Sequence, residues 1–240
     1  MRTDKYSRSG NRPFVAFFLV LSGLLASSLC HAELPAGVVP ITSEPNHKVR
    51  FENDKVRMIE ARVPKGKKSL FHEHRFDGFF VFFKGEGLIN EPYEGKLMSP
   101  NLKTGAVQFI PANKPYIHRV GASESQEVHV SVVELLTPAK DVTQAAEGRF
   151  PPFEVSLENS RGRIYRLKLS PGESIDVFTR PASTAIFAIT SGQITEQYEG
   201  RPAKTWSLEP GKFRWTDSRE DLTILNDGKI PVELVEIEVF

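Results

Sequence analysis

Apolar residues recur along this chain in short runs separated by glycine and proline. Val56-Arg-Met-Ile-Glu-Ala-Arg-Val63 alternates apolar and polar positions, the period of a strand with one buried face. Phe79-Phe-Val-Phe-Phe83 is a continuous apolar run, which suits a strand covered on both faces. Ala106–Ile110, Val128–Leu135, Ile164–Leu169, Thr184–Ile189 and Val232–Val239 read as further strands. No long amphipathic helix interrupts them. One short helix-capable piece, Asp141–Ala146, lies in a connector that carries Pro138, Pro151 and Pro152. The pattern predicts an all-β sandwich or barrel.

The strand pattern occurs twice. Glu52-Asn53 returns as Glu158-Asn159, and Val63-Pro-Lys-Gly66 as Leu169-Ser-Pro-Gly172. Gly87-Leu-Ile-Asn-Glu-Pro-Tyr-Glu-Gly95 returns as Gly192-Gln-Ile-Thr-Glu-Gln-Tyr-Glu-Gly200, and Thr104-Gly105 as Pro210-Gly211. The offset stays at 105 or 106 residues, so two compensating single-residue gaps align the copies. The expected organisation is one domain over 45–136, a linker over 137–154 and a second domain over 155–240.

The N-terminus departs from this pattern. Arg2, Lys5, Arg8 and Arg12 precede an apolar run from Phe14 to Ala26, and small and polar residues follow up to Cys30-His31-Ala32. That order predicts a secretory signal peptide over 1–32. The run is short for a membrane span. A lipid anchor through Cys30 is the weaker alternative, because bulky Leu29 precedes it. The expected location is periplasmic or secreted, with no membrane contact after cleavage.

Composition narrows the function classes. The 240 residues are 40% hydrophobic and 25% charged, which is ordinary for a folded protein. Removing 1–32 leaves 27 basic and 29 acidic residues, with no basic block, and this argues against nucleic acid. Cys30 is the one cysteine, so the processed chain has no disulfide, no thiolate ligand and no cysteine nucleophile.

The candidate chemistry lies in histidine. His72 and His74 stand one residue apart in a Phe-rich segment, and on a strand both point the same way. Imidazole is a common metal ligand. His118 lies far enough along the chain to come from another strand. On the same count Phe76 and Gly78 share the face of His72 and His74, while Glu73 and Asp77 face away. His129 alternates with valines and reads as a packed residue. His47 precedes the strands and reads as exposed. No further histidine is expected beside the three.

These residues resemble the cupin superfamily. Its first motif is a glycine, five residues, His-x-His, three or four residues, a glutamate, six residues and a glycine. Gly66, His72, His74 and Gly85 fall in place, but Gly78 stands where the glutamate would be. Its second motif is a glycine, five residues, Pro-x-Gly, two residues and a histidine. Gly105 and Pro111 match, Asn113 replaces the glycine, and His118 arrives two positions late.

The resemblance covers the processed chain as two copies, hence two small jelly-roll barrels in tandem. In the second copy Phe178 and Arg180 stand at the positions of His72 and His74, so it holds no metal in the family manner. The resemblance implies one divalent transition metal (Fe, Mn, Ni, Cu or Zn) on His72, His74 and His118. Gly78 in place of an acid would leave the site open and more cationic, hence receptive to an anionic ligand.

Tyr116 and Arg75 are the candidates for orienting a substrate or donating a proton, with Lys114 and Arg119 beside them. The implied function is a metal-dependent, dioxygenase-like enzyme acting on a small molecule, or an isomerase or lyase of the same type. The alternative is a non-catalytic small-molecule or metal-binding protein. Both a monomer and a homodimer fit.

Overall fold

A computed structural model describes residues 34–138 and 149–240. The expected signal peptide and the Asp141–Ala146 piece lie outside these residues. The first copy contains β1 (Val38–Pro40), β2 (His47–Glu52), β3 (Val56–Val63), β4 (Phe71–His74), β5 (Gly78–Lys84), β6 (Leu88–Pro92), β7 (Val107–Ile110), β8 (Tyr116–Ala122) and β9 (Val128–Leu135). The second contains β10 (Glu154–Asn159), β11 (Gly162–Leu169), β12 (Ser174–Arg180), β13 (Thr184–Ala188), β14 (Gly192–Tyr198), β15 (Lys204–Leu208), β16 (Phe213–Thr216), β17 (Glu220–Leu225) and β18 (Val232–Val239). A 3-10 turn, Ile41–Ser43, joins β1 to β2.

Each copy is a jelly roll of two facing sheets. In the first, a five-stranded sheet of order β2-β3-β9-β5-β7 faces a four-stranded sheet of order β1-β4-β8-β6. In the second, β10-β11-β18-β13-β16 faces β12-β17-β14-β15. The five-stranded orders correspond strand for strand, so the sequence repeat is a repeat of topology. Strand β1 pairs in parallel with β4.

Period-two alternation explains the apolar run of β5. Phe80 and Phe82 point into the first barrel, beside Ile59, Val130 and Val132. Phe79, Val81 and Phe83 point the other way, into a core shared with Ile164, Ala185, Phe187, Val235 and Ile237 of the second copy. Both faces of the run are therefore covered by apolar side chains. Each buried side chain of this size contributes about 1.5–3 kcal/mol by transfer from water. The shared core makes Leu34–Phe240 one compact unit.

Equivalent turns of the two copies press on each other's strands. Gly105 has φ +80° and packs against Arg166 and Glu233 of the second copy. Gly211 has φ +91° and packs on the ring of His129 in the first. His129 donates to Glu60 at 2.9 Å and stacks on Phe83 at 4.7 Å, so it is a packed interface residue, as its strand pattern predicts.

Candidate metal centre

The centre is built on two neighbouring strands. In β4 alternation turns His72 and His74 inward, and both are buried. Strand β8 runs antiparallel to β4 with His118 directly opposite His72 and Tyr116 opposite His74. The pairing places the His72 and His118 rings 4.6 Å apart, and His74 lies 5.2 and 5.0 Å from them. One ring nitrogen from each of the three lies within 4.8 Å of the others. The extra residues before His118 are taken up outside the strand, so its register opposite His72 is kept.

Hydrogen bonds on the outer nitrogens settle which atoms face inward. His72 Nδ1 donates to the Leu70 carbonyl at 3.0 Å. His118 Nδ1 donates to Asn90 Oδ1 at 2.6 Å, and Asn90 Nδ2 donates to the Tyr116 hydroxyl at 2.9 Å. With those protons on Nδ1, the Nε2 atoms of His72 and His118 carry lone pairs. His118 Nε2 and His74 Nε2 stand 3.0 Å apart. His72 Nε2 is buried with no hydrogen-bond partner among the described residues. A buried polar atom without a partner is costly, so this one asks for an electrophile. Three convergent imidazoles, two of them with outer nitrogens fixed by a carbonyl and an amide, are a donor set suited to a divalent metal.

The histidines are electrically neutral. Burial first, and the neighbouring His47 second, push His72 down to about 4. Burial drives His74 and His118 well below the usual histidine range, with the other rings adding to it. Lone pairs are thus available at neutral pH without competition from protons.

The rings open into a cavity of about 70 Å³. Its walls are apolar, chiefly Phe80, Phe82, Leu88, Leu102, Ile110, Val120, Val130 and Val132, with Asn90, Gln108 and Tyr116 as polar points. Among the described residues no lysine, arginine or carboxylate lines it.

Several expected positions therefore change. Tyr116 reaches the cavity. Arg75 does not: it follows His74 by one residue, faces outward by alternation and pairs with Glu73. Arg119 stacks on Phe71 and pairs with Glu91 at 2.7 Å. Lys114 is not a lining residue either.

Gly78 does not share the histidine face, because the chain turns over Arg75–Asp77 and Gly78 opens β5 in the opposite sheet. A side chain there would meet the rings and methyls of Phe80 and Val132, so Phe80 fills the space expected to be open. Asp77 pairs with Arg161 of the second copy at 2.7 Å.

His47 is the residue that sequence reasoning misplaced. It opens β2, is 7% exposed and lines the cavity. Its ring lies 4.5 Å from that of His72, and its Nδ1 bonds to the buried carboxylate of Glu44. Burial alone would raise Glu44, but bonds from His47, Leu70 and Asn46 bring it down to about 2. The Glu-x-x-His spacing from Glu44 to His47 is the one local trace of this pair.

The second barrel holds a different cation. Arg180, at the counterpart of His74, is fully buried. Its Nε and Nη2 donate to the two oxygens of Glu236 at 3.1 and 2.7 Å. Its Nη1 lies 3.2 Å from Glu196 and 3.5 Å from Glu220. Arg149 and Arg214 complete the network on Glu236 and Glu196.

No protein-family model matches the chain, and no curated protein sequence matches it. Solved structures match in fold. AerE from Microcystis aeruginosa superposes with a TM-score of 0.62 at 17% identity, over 85% of this chain and 98% of that one. A cupin 2 conserved barrel domain protein from Leptotrichia buccalis gives 0.50 at 12% identity, over 81% and 88%. Oxalate decarboxylase from Bacillus subtilis, which has Mn(II) centres, gives 0.52 at 13% identity, over 87% and 78%. At such identities the likeness establishes architecture: the chain has the fold of cupin barrels, twice over. Its class is a double-barrel cupin-fold protein with a three-histidine cluster in the N-terminal barrel.

Proposed function

We propose that this protein is an exported, metal-dependent enzyme that carries out a dioxygenase-like reaction on a small molecule in the N-terminal barrel. The buried, unpartnered Nε2 of His72, converging with His74 and His118 on an apolar cavity, carries this reading. The three imidazoles hold the metal. Three protein ligands leave positions for a substrate, and a bound divalent ion supplies Lewis acidity and, where redox-active, electron transfer at those positions. Tyr116 presents a hydroxyl to the cavity, oriented by Asn90, and is placed to donate a hydrogen bond to what binds there. The apolar walls exclude bulk water and strengthen each polar contact inside. With no lysine or arginine in the lining among the described residues, an anionic substrate group would be held by the metal itself. Export rests on the charged, apolar and small-residue order of 1–32.

The test is elemental analysis of the purified protein beside His72→Ala and His118→Ala. About one divalent metal per chain is expected, lost in both variants. No metal in the wild type, or full retention in both variants, overturns the reading. A non-catalytic binding role is the second reading, favoured by the lack of a carboxylate in the cavity wall among the described residues. Oxygen uptake with a panel of small carboxylates, enols and phenols separates them: metal-loaded protein that binds a panel member without consuming oxygen or substrate supports the binder.

A further inference from the structure

One carboxylate buttresses the metal strand from behind. Glu44 follows the 3-10 turn and is 1% exposed. Its oxygens accept from the Asn46 backbone N–H at 2.6 Å, Asn46 Nδ2 at 3.1 Å, the Leu70 N–H at 3.1 Å and His47 Nδ1. Two of these bonds lead to the same ligand. Leu70 turns its carbonyl to His72 Nδ1 at 3.0 Å. His47 lays its ring against the His72 ring at 4.5 Å, tilted by 55°. Glu44, Leu70, His72 and His47 thus close a ring of contacts around one imidazole.

The backbone tells the same story. Strand β1 runs beside β4 with Val39 opposite His72. The second copy carries no histidines. Burying a carboxylate is costly unless its lone pairs are filled, and this one fills them with the groups that orient His72.

We propose that Glu44 is the positioning residue of the metal centre, fixing the tautomer and orientation of His72 through Leu70 and His47, and coupling metal binding to the docking of residues 38–47. The proposal rests on the three histidines holding a metal. Outer carboxylates of this kind change metal affinity 10- to 100-fold when removed.

Co(II) is the probe, with affinity read by chelator competition and geometry by its visible d–d bands. Glu44→Gln is expected to weaken Co(II) binding about 10- to 100-fold and to shift the bands at saturating metal, with the far-ultraviolet circular dichroism of the apoprotein unchanged. His47→Phe keeps a ring against His72, removes the bond to Glu44, and is expected to move both readouts in the same direction. Amide hydrogen exchange in a peptide spanning 38–47 is expected to slow on adding Co(II) to the wild type.

Folded Glu44→Gln and His47→Phe proteins with wild-type Co(II) affinity and bands would overturn the proposal, as would unchanged exchange in 38–47. If Glu44→Gln does not fold, His47→Phe and the exchange measurement still decide. Co(II) binding abolished by His72→Ala yet untouched by Glu44→Gln sinks this proposal alone. A wild type that binds no Co(II) sinks the metal reading with it.

Discussion

Replacing Arg180 by methionine tests what the second barrel keeps in place of histidines. The change removes one of three cations, Arg149, Arg180 and Arg214, that face Glu196, Glu220 and Glu236 inside the barrel. Glu236 loses a bidentate partner and keeps Arg149; Glu196 keeps Arg214. Removing one partner of a buried pair leaves uncompensated charge, at a cost of about 3–5 kcal/mol.

The pH dependence gives an independent measure. Burial raises the Glu236 carboxyl, but Arg180 and then Arg149 outweigh it and lower the pKa from 4.5 to about 2. A carboxylate depressed in the folded state contributes stability that is complete above pH 4.5 and is lost as the pH falls through 2. A shift of that size is worth about 3 kcal/mol, in line with the charge argument.

Urea unfolding followed between pH 7 and pH 3 is the assay. With a slope of about 2–3 kcal/mol per molar, the expected midpoint drop at pH 7 is about 1–2 M, narrowing as the pH falls below 4.5. A drop under about 0.3 M at pH 7, or a difference that stays constant from pH 7 to pH 3, would refute the assignment.

Two further outcomes are expected. Asn90→Ala removes the acceptor of His118 Nδ1, so metal affinity should fall about 10- to 100-fold while the unfolding midpoint of the apoprotein moves little; chelator competition measures it. Phe79→Ala opens a cavity in the core shared by the two barrels and should cost about 3–5 kcal/mol. Calorimetry should then show a single transition shifted as a whole, since both barrels lean on that residue; a variant that melts in two steps with the upper one unmoved would contradict the shared core.

Much of the framework was legible locally. The limits of β3, β9 and β18 coincide with those read from alternation, because the pleat forces neighbouring side chains to opposite faces whatever they meet there. The repeat was legible for a similar reason: glycines at turns that need positive φ, such as Gly105 and Gly211, recur at a fixed spacing. His72 and His74 followed from period two. Gly78 did not, since period two holds only while the strand continues, and the chain turns after His74. His47 was misread because nothing in its neighbours signals that Leu70 and His72 will close over it.

The sequence by itself determined an all-β chain of two like halves, one bearing histidines spaced for a common face and the other not. Those are properties of backbone period, turn chemistry and residue count. Only the tertiary structure decided that His118 stands opposite His72, that Phe80 rather than empty space faces Gly78, that Glu44 and His47 buttress the centre, and that Arg180 meets Glu236 in the second barrel. Each of these depends on the register between strands far apart in the chain, and register is set by packing of whole sheet faces, which no local stretch encodes.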